Sequence, residues 1–531
     1  MTQLFDIGRS ALSSYQQALT AVSRNVANAN TPGYARQSVN FRELAGGGGV
    51  DVVSLNRSAD NSALASARDA VEERAFAEVR ANALTRIDAL ISDDSTGLGA
   101  PLRRLSESVD AFAAAPTDIA VRQTLLANAD GFAAQVRMID DTLVREANQA
   151  GQQLGVLAAS AQDQLDELAQ IQGQLDRTER MDAATATLMD RRDVLLEGLA
   201  ETLGVRSQIN GNGTLQVTLG NGQPVIEAGQ AVRLGVGADA EGQLQITTNG
   251  NLQPSRVIGG EAGGLLQLMH TDIPAAQDQL GRVAQSVAAQ FNTAQVNGAD
   301  LEGNVGTALF VEATPRVREL SNNAGTAVLG VTGDDSAELP ASRMRLSFDG
   351  AAWSATDSRG ATLPMAGSGT AGDPFTVGGV AINVTGVAAA GDSFMIEPAP
   401  ASGFVSNALR PEELAAAAAG SAPNSGDNSN ATALQETLRG GFLDGGRTSV
   451  QDANVNWISD TGQRTASALS AVSVARASES FALDRRDSIQ GVNLDEEAAD
   501  LLRYQQAYAA AAQVLATAGT LFDSVLAAMR R

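Results

Sequence analysis

Apolar residues recur every seven positions at both ends of the chain, and at helical spacing through much of what lies between. Near the start, Phe5, Leu12, Leu19 and Val26 fall at intervals of seven, with Tyr15 and Val22 at an alternate seam position beside the small Gly8 and Ala29. The spacing predicts an amphipathic helix over residues 1–30 with a narrow, coiled-coil-like stripe. Asn30-Thr31-Pro32-Gly33 ends it, because proline removes a donor and glycine admits a positive φ. Gly46 to Gly49 read as a flexible joint ahead of the strand-like run Val50 to Val53. At the other end Leu494, Leu501, Tyr508, Leu515, Phe522 and Met529 repeat at sevens, with Tyr504, Ala511, Ala518 and Val525 three residues on. Asn493 is placed to cap this helix. Glu497 interrupts the second series and reads as a carboxylate at the positive end of the helix. No proline follows Pro423, so a helix of roughly 35 residues is predicted.

Between the ends, helical periodicity dominates from about 56 to 203. Leu125, Phe132, Val136, Ile139 and Leu143 form one face, which Leu165, Leu168, Ile171 and Leu175 continue after a weaker Gln/Ala/Gly patch. Long alanine-rich helices of this kind build rods or elongated bundles. After Gly204 the period changes. Gly211-Asn212-Gly213 and Gly220-Asn221-Gly222 flank the alternating Leu215 to Leu219, which is hairpin chemistry. Helix returns near 261–297, and short strands at 344–348, 375–377, 381–384 and 393–396 predict a small β-sandwich or barrel. Helices are expected at about 411–419 and 431–438, separated by the linker Ser421 to Asp427.

The predicted fold is mainly α with β inserts: an elongated multidomain chain with paired terminal helices, a long-helix bundle body and an inserted small β-domain. The expected divisions are 1–45, an axial helix and turn; 46–318, a helical body with a β-hairpin insert near 204–260; 319–403, the inserted β-domain; 404–483, the return of the helical body; and 484–531, the second axial helix. Residues 1–45 carry four arginines against two acids, and residues 484–531 carry seven acids against five arginines. The signs favour pairing of the two ends. Docking of each terminal helix on its own domain is the competing arrangement.

Composition removes most chemistries. Among 531 residues there is no cysteine, so disulfides, zinc–thiolate sites and thiol nucleophiles are excluded. All 37 basic residues are arginine, so a P-loop lysine and a Schiff base are excluded as well. His270, the single histidine, closes an apolar helical stretch and reads as a helix-end residue; any Ser-His-Asp triad would have to use it. The pairs Asp93-Asp94, Asp140-Asp141 and Asp334-Asp335 point about 100° apart on a helix and read as solvated surface. No catalytic, metal or cofactor site is predicted. A formal charge of −24 argues against nucleic acid and anionic lipid as partners. No unbroken apolar run predicts membrane insertion, and Met1 to Asp6 lack the character of a cleaved leader.

One motif is specific. Ala27-Asn28-Ala29-Asn30-Thr31-Pro32-Gly33-Tyr34 resembles the A-N-x-x-T-P-G-Y/F signature of flagellar rod, hook and hook-associated proteins. Gly491-Val492-Asn493-Leu494-Asp495-Glu496-Glu497, followed by Leu502 to Tyr508, resembles the C-terminal signature of the same family. Hook proteins share both ends but are mostly β between them, and flagellin-like junction proteins lack the T-P-G-Y turn. The helical body therefore resembles the hook-associated protein 1 branch. Leu188 to Leu196, Gly263 to Leu266, Ala389 to Phe394 and Gly426 to Ala431 fit the same resemblance.

The resemblance implies an extracellular structural subunit at the hook–filament junction, exported unfolded and without cleavage through a type III channel. Its implied partners are other copies of itself in a helical array, the hook protein, hook-associated protein 3, and an export chaperone on the C-terminal helix. The expected assembly interface comprises Phe5, Leu12, Tyr15, Leu19, Val22, Val26, Asn28, Asn30, Thr31, Pro32, Gly33, Tyr34, Asn493, Leu494, Leu501, Tyr504, Tyr508, Leu515, Phe522 and Val525. Both terminal segments are expected to be mobile in the free monomer and to order on assembly. Two rival readings are another axial subunit, such as the hook protein, and an exported ligand-binding or adhesive protein that uses the β-insert. The second would need an aromatic-lined groove, and Trp353 and Phe375 are nearly the only large rings available there.

Overall fold

In the computed structural model the described residues are 2–44, 49–178, 181–209, 215–227, 229–239, 242–320, 323–333, 343–357 and 360–529. The residues read as a joint at Gly46 to Gly48, the turn Gly211 to Gly213, and Asp334-Asp335 lie outside them. Helix α1 (Thr2–Ala27) leads into a hairpin of strands β1 (Gln37–Glu43) and β2 (Val50–Arg57). Helices α2 (Asn61–Ser92), α3 (Gly99–Ala114), α4 (Ile119–Leu175) and α5 (Ala183–Leu203) follow. The 57 residues of α4 make a rod about 85 Å long. Its predicted face is fully buried from Leu125 to Leu143 and again at Leu165 and Leu168, and the weaker patch between them is closed by Ala150, Leu154, Ala158 and Ala161. Asp60, Asp118 and Asp182 each cap the helix that follows by accepting backbone N–H bonds.

The hairpins between residues 206 and 252 lie along this body. Then come α6 (Gly260–Gln267), one π-turn at Leu268–Asp272, and α7 (Ile273–Asn297). Residues 316–397 form the inserted domain. A five-stranded and a three-stranded antiparallel sheet share one core of Met344, Leu346, Phe375, Val380, Ile382, Phe394 and Ile396. Trp353 packs within the domain against Phe348, Phe375 and Phe394. Where the chain leaves for this domain and returns, Phe310 stacks on Phe404 and both join Phe132 and Phe291 in the body core. Helix α8 (Ser429–Arg439), the short turn α9 (Leu443–Gly446, with Asp444 and Gly445 left-handed), and helices α10 (Val450–Gln490) and α11 (Leu494–Met529) complete the described chain. Helix α10 runs antiparallel to α2 along a small-residue seam of Ala67, Ala70, Ala77 and Ala81 against Ala468, Ala475 and Ala482.

Several expectations are corrected. The helix expected at 411–419 is one 3₁₀ turn, Pro411–Glu413, followed by an extended stretch in which Leu414 to Ala417 are buried. The stretch pairs Ala417 and Ala418 with Ala299 and Gly298, so tertiary packing overrides the helix propensity of alanine. Asp140 is buried rather than solvated and accepts a bond from Gln277 Nε2 at 3.1 Å. The division drawn after residue 45 separates the paired strands β1 and β2, and the one after 483 falls inside α10. One stretch within Val450–Leu526 contains an 18-residue window of mean hydropathy 1.3, long and apolar enough by length and composition to cross a membrane. An average tolerates interspersed polar residues that an unbroken run does not. Only 11% of that window is buried, so it is surface in the single chain.

The inserted domain is tied to α7 by charge. Arg343 reaches Asp278 at 3.4 Å and Glu397 at 3.2 Å. Burial pushes the Asp278 carboxyl up to about 6, with Arg343 opposing it. The folded state therefore holds a proton that the unfolded chain has already released, and stability falls as pH rises from about 4 to 6. The cost once both states are ionised is on the order of 2–3 kcal/mol. Asp278→Asn is expected to flatten that part of the profile in thermal unfolding measured from pH 4 to 7. An unchanged slope in the variant would assign the pH dependence elsewhere.

Candidate assembly interface

Helices α1 and α11 pair antiparallel. Phe5 meets the Phe522 ring edge-on at 6.2 Å, and Gly8 lies against Leu515, where an added Cβ would stand 2.8 Å from Leu515 Cδ1. Further along, Phe41 of the hairpin bridges Tyr15 and Tyr504 at 5.8 and 6.1 Å. At the base, Asn25 meets Glu497. Ala18 and Ala21 are buried on the side of α1 from which Ser14 and Asn25 hydrogen-bond the β1–β2 hairpin. Towards α11, Gly8 and Val22 are buried on α1, and Glu497, Ala511 and Ala518 on α11, so the alternate series, 8-15-22 and 497-504-511-518, is the more deeply buried in both helices. Phe5, Leu12, Leu19, Leu501 and Leu515 flank it half-buried. Val26 (44%), Leu494 (54%), Tyr508 (38%), Phe522 (46%) and Val525 (44%) remain substantially exposed.

The turn after α1 is built by its own side chains. Asn28 Nδ2 donates to Arg24 O, Thr31 Oγ1 donates to Asn28 Oδ1, and Tyr34 N donates to Thr31 O. Asn30, Thr31 and Pro32 are exposed at its apex. Gly33 has φ +76° and sits so close to Val194 that a Cβ would lie 2.3 Å from Val194 Cγ2, so both the backbone and the contact require glycine. Ala35 N then donates to Asp190 Oδ1 at 3.3 Å. Arg57 clamps Asp190 at 2.7 Å and Asp193 at 2.8 Å. Residues 188–196 are thus the seat on which the turn docks. Burial raises the Asp190 carboxyl, with Arg57 opposing.

Beneath the turn lies a buried polar network. Tyr34 Oη donates to Asn25 Oδ1 at 2.8 Å, and Asn25 Nδ2 donates to Gln37 O and to Glu497 Oε2. Arg36 Nε donates to Glu497 Oε1 at 2.7 Å, while its other nitrogens reach Glu496 and Asp500. Both Asn25 and Glu497 are 1% exposed. Burial, then the charge of Asp190, hold the Tyr34 hydroxyl at about 12. The hydrogen bond to Glu497 raises Arg36. Asn493 Oδ1 accepts from Asp495 N at 3.0 Å and caps α11 as predicted. Glu497, read from sequence as a carboxylate at the positive end of the helix, stands there and is also the centre of this network. Its place in an otherwise apolar heptad series was the signal that it faces the partner helix. His270 is half-buried in the π-turn, and burial lowers its basicity. Among the described residues no group of three metal-ligating side chains occurs.

Comparison with known proteins places the two ends and the body in flagellar families. The two ends match a flagella basal body rod protein model over residues 5–34 and a flagellar basal body rod FlgEFG C-terminal model over 487–528. The body matches the flagellar hook-associated protein FlgK helical domain over 84–310, and the insert matches a flagellar hook-associated protein 1 D2-like domain over 318–398. Flagellar hook-associated protein 1 of Salmonella typhimurium is 30% identical over 559 residues, spanning 99% of this chain and all of that protein. The chain belongs to the flagellar hook-associated protein 1 family. The Escherichia coli member is 28% identical over 99% of the chain, and the Bacillus subtilis member 23% over its whole length. The flagellar hook junction protein FlgK of Burkholderia pseudomallei shares the fold, with a TM-score of 0.73 at 19% identity over 81% of this chain and all of that one. Both signature ends of the hook-associated protein 1 family are therefore brought to one place here, joined by α1–α11 pairing and seated on residues 188–196.

Proposed function

We propose that the protein is a structural subunit of the extracellular bacterial flagellum, forming the junction between hook and filament through its paired terminal helices. One observation carries this reading. The two signature ends form a single antiparallel unit whose outer surface stays apolar, with Leu494, Leu502, Val514, Leu521, Phe522 and Leu526 all 40% exposed or more. A face of that composition calls for further partners, and neighbouring subunits in a helical array supply them through heterologous, non-closing contacts. The hook protein on one side and hook-associated protein 3 on the other are the proposed axial neighbours. An export chaperone is the proposed cytoplasmic partner of α11 before assembly. Use of Trp353 and the surrounding rings inside the insert favours outward structural decoration over a ligand groove.

Immunogold microscopy of intact flagella, with antibody against the 318–398 domain, tests the reading. A single narrow band at the hook–filament boundary is the expected result. Labelling along the whole hook would make the chain a hook subunit, and labelling along the filament would remove the junction role.

A further inference from the structure

Beside the seat of the N-terminal turn, the chain buries more positive than negative charge. Arg57, Arg68 and Arg192 gather there with Asp190 and Asp193, and all except Asp190 are nine-tenths buried or more. Arg57 binds both carboxylates, and Arg192 holds Asp193 at 3.1 Å. Arg68 is the one left over. It is 9% exposed, and among the described residues it donates no hydrogen bond and forms no ion pair. Glu197 is already taken by Arg486 at 3.0 Å, and Asp69 stands on the exposed side of α2. None of its nitrogens is among the sealed, unpartnered polar atoms of the described residues, so the guanidinium opens onto the space it faces, where water or an anion supplies its acceptors.

That space exists. Arg68 lines a cavity of about 230 Å³ between the start of α2, α5 and the strand Arg206–Ile209. Its mouth carries Asn61, Ser62, Ser207 and Gln208, each able to donate. Asp193 is the only carboxylate in the wall, and its charge is met by Arg57 and Arg192. We propose that the cavity is an oxyanion site in which Arg68 receives one carboxylate or phosphate group, with the hydroxyl and amide groups of the mouth as supporting donors. Two sources share that chemistry: a free inorganic anion, and an acidic side chain of a second copy of this chain, which carries 61 acids. The second source rests on the assembly reading above; the first does not.

The experiment has two arms on the full-length chain. Thermal unfolding is followed against inorganic phosphate, and separately acetate, at constant ionic strength. A free-anion site gives a saturable rise in Tm of about 2–4 °C that Arg68→Gln abolishes. Arg68→Lys and Ser207→Ala, which keep a buried cation, weaken it, so a poorly folding Gln variant does not remove the test. In the second arm, Ser62→Cys places a unique thiol at the mouth of a cysteine-free chain. A neighbour's carboxylate seated there protects this thiol from maleimide in assembled flagella but not in the monomer, and Arg68→Gln restores labelling. An equal phosphate response with and without Arg68 counts as non-specific and does not support the site. The proposal is overturned if no Arg68-dependent phosphate or acetate response occurs and labelling in flagella equals that in the monomer. A misplaced band in the immunogold test would remove the second source alone.

Discussion

A chain ending at Gln490 is expected to fail entirely to enter the flagellar axis while its body unfolds at an unchanged temperature. Helix α11 begins at Leu494 and packs on α1 and, through Tyr504, on Phe41 of the hairpin. The body core from Ala83 to Trp457 draws no residue from it. Deleting α11 leaves α1 only the β1–β2 hairpin to pack on, and a narrow-striped helix of 26 residues with its seam uncovered is marginal in water. The apolar surface proposed to meet neighbouring subunits disappears with it. Calorimetry of the truncated chain should show the body transition intact, while complementation of a strain lacking the gene should restore no motility and no junction band. Incorporation of the truncated chain would show that the terminal helices are dispensable, and the proposed mode of assembly would fall.

The architecture was readable where pattern and chemistry coincide. Heptad spacing located α1 and α11, the T-P-G-Y turn marked where the first helix stops, and the change of period after Gly204 found the hairpins. What stayed hidden has two physical causes. Small residues carry little hydrophobic weight, so spacing put Gly8, Ala511 and Ala518 on the seam without marking them as more deeply buried than the large Phe5 and Phe522 beside them. Contacts between distant segments leave no local trace. Residues 188–196 were legible as a family segment, yet nothing near them indicates that Asp190 receives Ala35 and Arg57 or that Val194 presses on Gly33. The alanine run Ala415 to Ala419 shows the converse, a strong local preference overruled where Ala415 to Ala417 are buried in an extended form.

Glu497 is where those two causes meet, and replacing it is the sharpest test of how the ends are held. Glu497→Leu fits the apolar heptad series better than the natural residue does, so pattern alone forecasts a tighter helix pair. The structure forecasts the opposite. Leucine leaves Asn25 Nδ2 and Arg36 Nε without their acceptor beneath the turn, where the carboxylate now receives both at 2.9 and 2.7 Å. Breaking such a buried charged network costs about 2–4 kcal/mol. The loss falls on the docking of α11 rather than on the body, so amide exchange over residues 494–529 should accelerate roughly 30- to 1000-fold with no change in the body transition. Glu497→Gln keeps the shape and one acceptor oxygen and is expected to lose far less. Pairing each substitution with Asn25→Ala should give strongly non-additive effects, since both residues serve one network. If the leucine variant exchanges no faster than the natural chain, the network does not fix the pair, and the small-residue seam between α1 and α11 holds the ends by itself.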